Sequence, residues 1–457
     1  MTLILNTSAS CVDRMAGDRL QYTFYASKQN FGTPMSFDVK SLDIERVHDA
    51  FSPAQEIRDP ELFAGRQDEI KKAVTALMNK GGFLTIYGLR GVGKSSIAQQ
   101  IKLIAEGDKT LPKIQGIDRL LPGRGFEFLV HYIRCDGFVK NIPDLLKRIL
   151  FGDDENDSLF SHTKAGDQQM VEFKKTLEAS ASIGIGGGGG RSEKLYRPRV
   201  SDDLIQQFRQ LLRLVRRDTQ TTHNGLLILV DEFDTISDKA GFASIVKACS
   251  SEFVKFGVVG IATTVSELIS DHNSIGRQLD YIKVERMQSQ ELHHILKKAE
   301  FKVGKAIKFS EEAAQEICSK SEGFPHFTHL LGREAMLIAF QRRSSHVTKQ
   351  DIQELAQAIS KGRLNTSYDE VYHSAIKQSE HREILLKLFA EVESEEIHTE
   401  GVYANAKGMG LSNPSQLMKE LTAPDEGAAV LTKIRDRYYR FSDPVFKAYA
   451  RMRQWKF

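Results

Sequence analysis

Gly88-Leu89-Arg90-Gly91-Val92-Gly93-Lys94-Ser95 fits the pattern G-x-x-x-x-G-K-[ST] in full, and Ser96 follows it. Glycines are needed there because backbone N–H groups must close on phosphate oxygens without a Cβ in the way. Lys94 is placed to reach β- and γ-phosphates, and Ser95 to put a hydroxyl on Mg²⁺. A helix starting near Lys94 would add the positive end of its dipole. ATP and Mg²⁺ are therefore the expected ligands, held by Gly88, Leu89, Arg90, Gly91, Val92, Gly93, Lys94, Ser95 and Ser96.

A second group lies about 135 residues further on, in "LLILVDEFD". The apolar run reads as a strand buried on both faces, with Asp231 at its C-terminal end, where a carboxylate can join a metal's coordination sphere. Glu232 is placed to polarise a water for attack on a γ-phosphate. At the end of the next apolar run, Thr263 and Thr264 either hydrogen-bond that phosphate or cap a following helix. Arg277, in "DHNSIGRQLD", is either a cation supplied across a subunit boundary or a solvated arginine.

These groups need a parallel sheet to bring them to one edge, and the chain carries the pattern for it. Short apolar runs at Phe83–Tyr87, Glu127–Asp136, within Gly225–Ser237 and at Phe256–Thr264 alternate with amphipathic helical stretches at Gln67–Met78, Asn141–Phe151, Gln168–Ala179 and Asp202–Val215. From Ser289 the pattern is helical through Ser360, and the last ninety residues read as a small α+β module. The run Gly186–Gly190 has no Lys-Ser/Thr after it and reads as a flexible hairpin or loop rather than a second phosphate cradle.

Composition bounds the rest. At 457 residues, 41% apolar and 27% charged, the chain is a globular protein of several domains, and its net charge of +3 requires any nucleic-acid surface to be local. Its apolar runs are far short of the roughly 20 residues that span a membrane. The start "MTLILNTSAS" lacks the basic region and long apolar stretch of a secretory signal. Cys11, Cys135, Cys249 and Cys318 form no C-x-x-C pair. We expect a reduced, cytoplasmic protein.

Together with "FAGRQDEI", "SEGFPHFTHLLGREA" and "YYRFSDPVFKAYARM", the two acidic and phosphate motifs resemble the P-loop ATPases that group archaeal ATPases and origin-recognition-type AAA+ initiators with the STAND signalling NTPases. The resemblance covers residues 50–457. It implies a P-loop NTPase α/β fold with a parallel sheet, a helical lid and a C-terminal winged helix. It also implies an adenine pocket lined by Phe63, Gly65 and Arg66, with Pro325 approaching the base. Arg277 becomes a finger in a homo-oligomer, and Arg333 is a candidate second sensor whose alternative is a surface lid residue. The expected domains are an N-terminal extension (1–55), an ATPase core (56–285, with a glycine-rich insertion near 180–198), a lid (286–362) and a winged helix (363–457).

The segment "KIRDRYYRFSDPVFKAYARMRQWK" carries eight basic residues against two acids. Arg435, Arg437, Arg440, Arg451 and Arg453 are candidate contacts to DNA phosphates, unless the module packs on the nucleotide domain. Tyr439, Phe441 and Phe446 are expected in its core. The function expected is an ATP-hydrolysing switch whose nucleotide state controls oligomerisation and engagement of DNA or a protein effector. Two alternatives stay open: a DNA-loading initiator or transposition-type target selector, and a defence or signalling regulator acting through protein partners alone.

Overall fold

The computed structural model describes residues 38–153, 157–164, 170–171, 175, 202–269, 279–360, 367–423 and 429–453. Arg277, Gly186–Gly190 and most of Gln168–Ala179 lie outside the described residues.

Five strands form one parallel sheet: β1 (Phe83–Gly88), β2 (Phe128–Arg134), β3 (Gly225–Asp231), β4 (Val254–Ile261) and β5 (Leu279–Val284). Their spatial order is β2-β3-β4-β1-β5. β1 and β3 are buried along their whole length, as strands covered on both faces must be. Successive side chains serve opposite cores. Leu84, Ile86, Leu227 and Leu229 enter the core shared with helices Gln67–Met78 and Lys94–Ala105. Phe83, Leu226, Ile228 and Val230 enter the other, with helices Ile142–Phe151, Asp202–Thr219 and Phe242–Cys249. Because all five strands run the same way, the loops that leave their C-terminal ends share one edge.

Helices Ser289–Lys302, Glu311–Ser321, Pro325–Gln341 and Lys349–Ser360 follow β5. Residues 38–55 are built into this part: Val47, Ala50 and Phe51 are buried in the same core, and helix Ile44–Asp49 packs on Pro325–Gln341. After residue 366 come a helix pair (Ser367–Ile376, Glu380–Glu391), a short strand (Ile397–His398), helices Thr399–Gly408 and Pro414–Thr422, and a hairpin of Leu431–Arg435 with Tyr438–Phe441. The hairpin pairs antiparallel with the short strand, and helix Pro444–Met452 ends the described chain. Among the described residues, Cys135, Cys249 and Cys318 are buried and unpaired, and no helix is long and apolar enough to cross a membrane.

The basic C-terminal segment divides in two. Lys433, Arg435, Arg437 and Arg440 are exposed on the hairpin. Arg451 and Arg453, expected with them as phosphate contacts, are instead structural. Arg453 is buried against Asp369 at 2.7 Å and the Tyr449 hydroxyl at 3.0 Å. Arg451 donates to Glu322 at 2.8 Å, to the Val392 carbonyl at 2.9 Å and to the Ala390 carbonyl. The reason is their place at the packed end of helix Pro444–Met452, Arg451 in its last turn and Arg453 at its C-cap, where a guanidinium persists only with its donors matched. Phe441 and Phe446 are in the core and Tyr439 packs against it, as expected.

Removing Arg453 takes a cationic partner from the buried Asp369 carboxylate, which also accepts from the Tyr449 hydroxyl. Arg453→Ala is expected to destabilise the fold by about 3–5 kcal/mol, read as a lower urea midpoint. An unchanged midpoint would show that the pair does not hold this module together.

Candidate functional site

The glycine loop leaves β1 and enters helix Lys94–Ala105 with Gly91 and Gly93 in left-handed conformations, φ 78° and 95°. Each glycine answers a different constraint. A Cβ on Gly88 would collide with the Val284 carbonyl oxygen of β5, so that position is set by sheet packing. On Gly91 it would collide with a Val445 methyl from the C-terminal helix. Around Gly93 only Pro325 Cγ comes near, at 3.8 Å, which leaves the inner face of the loop open.

Lys94 is 9% exposed, and its Nζ donates to the Leu89 carbonyl at 2.7 Å, closing the loop on itself. Burial pulls its pKa down to about 8, with Arg90 pulling the same way; Asp234 and Asp231 oppose them and lose. A cation so desolvated is a ready partner for phosphate. Ser95 sits half-buried in the first turn of the helix, and Ser96 Oγ accepts from Ile57 N at 3.0 Å.

Asp231 is buried at the end of β3, with one carboxylate oxygen accepting from the Tyr132 hydroxyl at 2.6 Å and the other from Glu232 N at 2.8 Å. The Tyr132 proton is held firmly, because burial and the Asp231 charge push its pKa far up. Glu232 adopts φ 55° and is half-exposed, with Arg134 Nε at 4.0 Å. Desolvation first, then the Asp231 charge, raises its pKa; Arg134 works against them. Arg134 also meets Glu56 at 3.3 Å. Tyr132, Arg134 and Glu56 had no role in the sequence reading. Tyr132 and Arg134 lie two apart on one strand, a period-2 signal, but nothing in the spacing tied them to an acid 99 residues away in the chain.

The threonines take the capping arrangement. Thr264 Oγ1 accepts from Glu267 N at 3.3 Å, and Thr263 donates to the Glu267 carboxylate from both N and Oγ1, at 2.6 and 2.8 Å. Arg333 pairs with its neighbour Glu334 at 2.9 Å on helix Pro325–Gln341.

Beside the loop lies an open cleft lined by Phe63, Ala64, Met287, Ile295, Pro325 and His329 among others. Phe63 and Pro325, the residues expected at a base, therefore share a wall with Gly93 and Ser96. Arg66 borders the cleft, but its guanidinium is engaged as a clamp, donating to the carbonyls of Val92 and Glu285 at 2.8 Å each and to Glu69 at 3.0 Å. Gly65 is required by Glu291, whose carboxylate would lie 2.6 Å from a Cβ there. Among the described residues no group of three or more His, Cys, Asp or Glu is placed to hold a metal ion. An ion here would share Ser95 and Asp231 with phosphate oxygens and water.

Polyphosphate in the loop should raise the pKa of Lys94 from about 8. ATP binding at pH 8 is then expected to take up protons, and affinity to fall as pH rises through that value. Calorimetry in two buffers of different ionisation enthalpy measures this; equal heats would mean that Lys94 is not recharged.

No family model matches the chain, and no curated protein does. Solved structures align with most of it. The Aeropyrum pernix ORC2 protein in its ADPNP-ADP complexes is 13% identical over 89% of this chain and 96% of that one, with a TM-score of 0.43. CDC6P from Pyrobaculum aerophilum is 14% identical over 88% and 96%, with a TM-score of 0.38. The Thermotoga maritima RuvB Holliday junction branch migration motor is 12% identical over 84% and 94%, with a TM-score of 0.40. With the strand order β2-β3-β4-β1-β5, a glycine loop leading from β1 into a helix, and an acid closing β3, this chain has a P-loop NTPase fold.

Proposed function

We propose that the protein is an ATP-hydrolysing switch whose nucleotide state sets the position of its C-terminal module. The observation that carries this reading is the direct seat of helix Pro444–Met452 on the phosphate loop. Val445 fills the face of Gly91, and Asp443 lies 3.7 Å from Arg90. The lid touches the same loop through Phe324, 3.6 Å from the Cβ position of Gly91, and Pro325. Arg286, just past β5, ties the two together: it lies over the Phe324 ring at 4.5 Å and pairs with Glu322 and with Glu395. A change in loop shape therefore reaches both the lid and the C-terminal module.

In this reading Lys94 exchanges the Leu89 carbonyl for phosphate oxygens, and Phe63 and Pro325 flank the base. Ser95 and Asp231 would hold Mg²⁺, which when bound neutralises charge on the transferring phosphoryl group. Glu232 accepts the proton of the attacking water, and its raised pKa makes it the stronger base. Arg134 holds that carboxylate in place. Thr264 faces a choice between its present cap and the γ-phosphate. Arg277 is assigned to the neighbouring copy's site in a homo-oligomer.

The module after residue 366 has the helix–strand–helix–helix–hairpin order of a winged helix. Its exposed hairpin cations favour duplex DNA as the partner, with Arg435 stacked on Tyr438 at 4.0 Å. A protein effector without DNA is the competing reading.

Glu232→Gln is expected to bind ATP, to hydrolyse it about 10²–10⁴-fold more slowly, and to accumulate in the assembled form. Light scattering with and without duplex DNA reads the mass: assembly that needs DNA supports a DNA-engaging switch, and assembly without it a protein-facing one. Hydrolysis at the normal rate would remove Glu232 as the base. Arg134→Gln removes the stronger of the two cations, Arg134 and Arg90, that lower the Glu232 pKa. The acid limb of the hydrolysis profile should then move to higher pH; an unmoved limb would separate Arg134 from the base.

A further inference from the structure

The cleft beside the phosphate loop has a wall that the motifs leave unread. Residues Phe51 to Arg58 run along it as a strap pinned on two sides. His326 Nδ1 donates to the Pro53 carbonyl at 2.6 Å, and Ser52 N donates to His329 Nδ1 at 3.3 Å. On the other side Ile57 N donates to Ser96 Oγ, and Gln100 Nε2 donates to the Ile57 carbonyl at 2.9 Å. His329 stands one helical turn after Pro325, on the same face of the lid helix, and lines the cleft.

The bond from Ser52 fixes the imidazole. A ring nitrogen that accepts cannot carry the proton, so the neutral ring bears its N–H on Nε2. The ring is neutral because burial drives its pKa down to about 3. His329 is 6% exposed, and among the described residues no hydrogen bond uses Nε2. His329 lines the cleft, so this N–H is a donor that a ligand entering the cleft can meet with an acceptor.

The other polar side chains of the cleft sharpen the choice. Arg66 can only donate and is engaged, and Ser96 Oγ already accepts from Ile57. Among the described residues, no carboxylate or amide side chain lines the cleft. Guanine presents two donors on its pairing edge, N1–H and the 2-amino group, and would set N1–H against the Nε2–H donor of His329. Adenine presents N1 as an acceptor. We propose that His329 is the base-selecting residue of the site, donating from Nε2 to N1 of adenine and so rejecting guanine nucleotides. This rests on the nucleotide reading of the loop.

The test is calorimetric titration of the full chain with ADP, GDP and 1-deaza-ADP, whose base lacks the N1 acceptor. His329→Asn keeps an oxygen for Ser52 but is too short to reach with a donor, whereas His329→Gln restores a donor near the Nε2 position. In the unaltered protein ADP should bind about tenfold or more tightly than either GDP or 1-deaza-ADP. Both differences should collapse in His329→Asn and return in His329→Gln. An unchanged 1-deaza penalty in His329→Asn would overturn the proposal, as would equal binding of ADP and GDP to the unaltered protein. If all three nucleotides bind alike and Lys94→Ala abolishes binding, the phosphate loop stands and only base selection by His329 falls. If none binds, the nucleotide reading falls and His329 with it.

Discussion

A loop that offers its N–H groups to a ligand must find other partners for its carbonyls and fillers for its bare glycine faces. That constraint organises this molecule. The Val92 carbonyl is taken by Arg66, which enters from the start of helix Gln67–Met78 in a left-handed backbone conformation. The Leu89 carbonyl is taken by Lys94 from within the loop. The glycine faces are closed by β5 at Gly88 and by the C-terminal helix at Gly91, while Pro325 stands off Gly93. A buried polar group without a partner costs about 1–3 kcal/mol, so each of these segments stabilises the loop and is in turn located by it. Only the face at Gly93 is left free, and that is the face toward the cleft.

Charge at the sheet edge follows from the same parallel arrangement. The ends of β2 and β3 bring Arg134, Asp231 and Glu232 together, with Tyr132 donating to Asp231. Burial first, then the neighbouring carboxylates, raises the pKa of Glu232, and Arg134 on the neighbouring strand, with Arg90, limits that rise. On the loop side burial outweighs two nearby carboxylates, so Lys94 is held less basic than an exposed lysine. Both shifts favour a ligand that brings negative charge to Lys94 and a proton to Glu232.

The C-terminal module shows how one basic segment serves two ends. Lys447 donates to the Ser394 carbonyl at 2.7 Å, and Arg451 and Arg453 satisfy buried acceptors, on a helix whose apolar face joins the main core. The hairpin arginines, on a two-stranded element with one exposed face, stay in solvent. Identical side chains thus become cement or surface according to the face of the element that carries them.

Local information in the sequence was enough for the positions of the glycine loop before its helix and of Asp231 at the end of its strand, and for the apolar strands and helices such as Gln67–Met78. Those signals are short-range: glycine conformation, strand burial and helical period are written within a dozen residues. The lining of the cleft by Phe63 and Pro325 was legible only through resemblance. Tertiary structure decided the rest. That Tyr132 and Arg134 face the acids, that Arg66 is a clamp, that His329 shares the wall with Pro325 and Phe63, and that Arg451 and Arg453 are buried all depend on segments far apart in the chain. Distances of tens to hundreds of residues leave no periodic trace, because which side chains meet across a fold is set by packing and by the need to satisfy buried polar atoms, not by spacing.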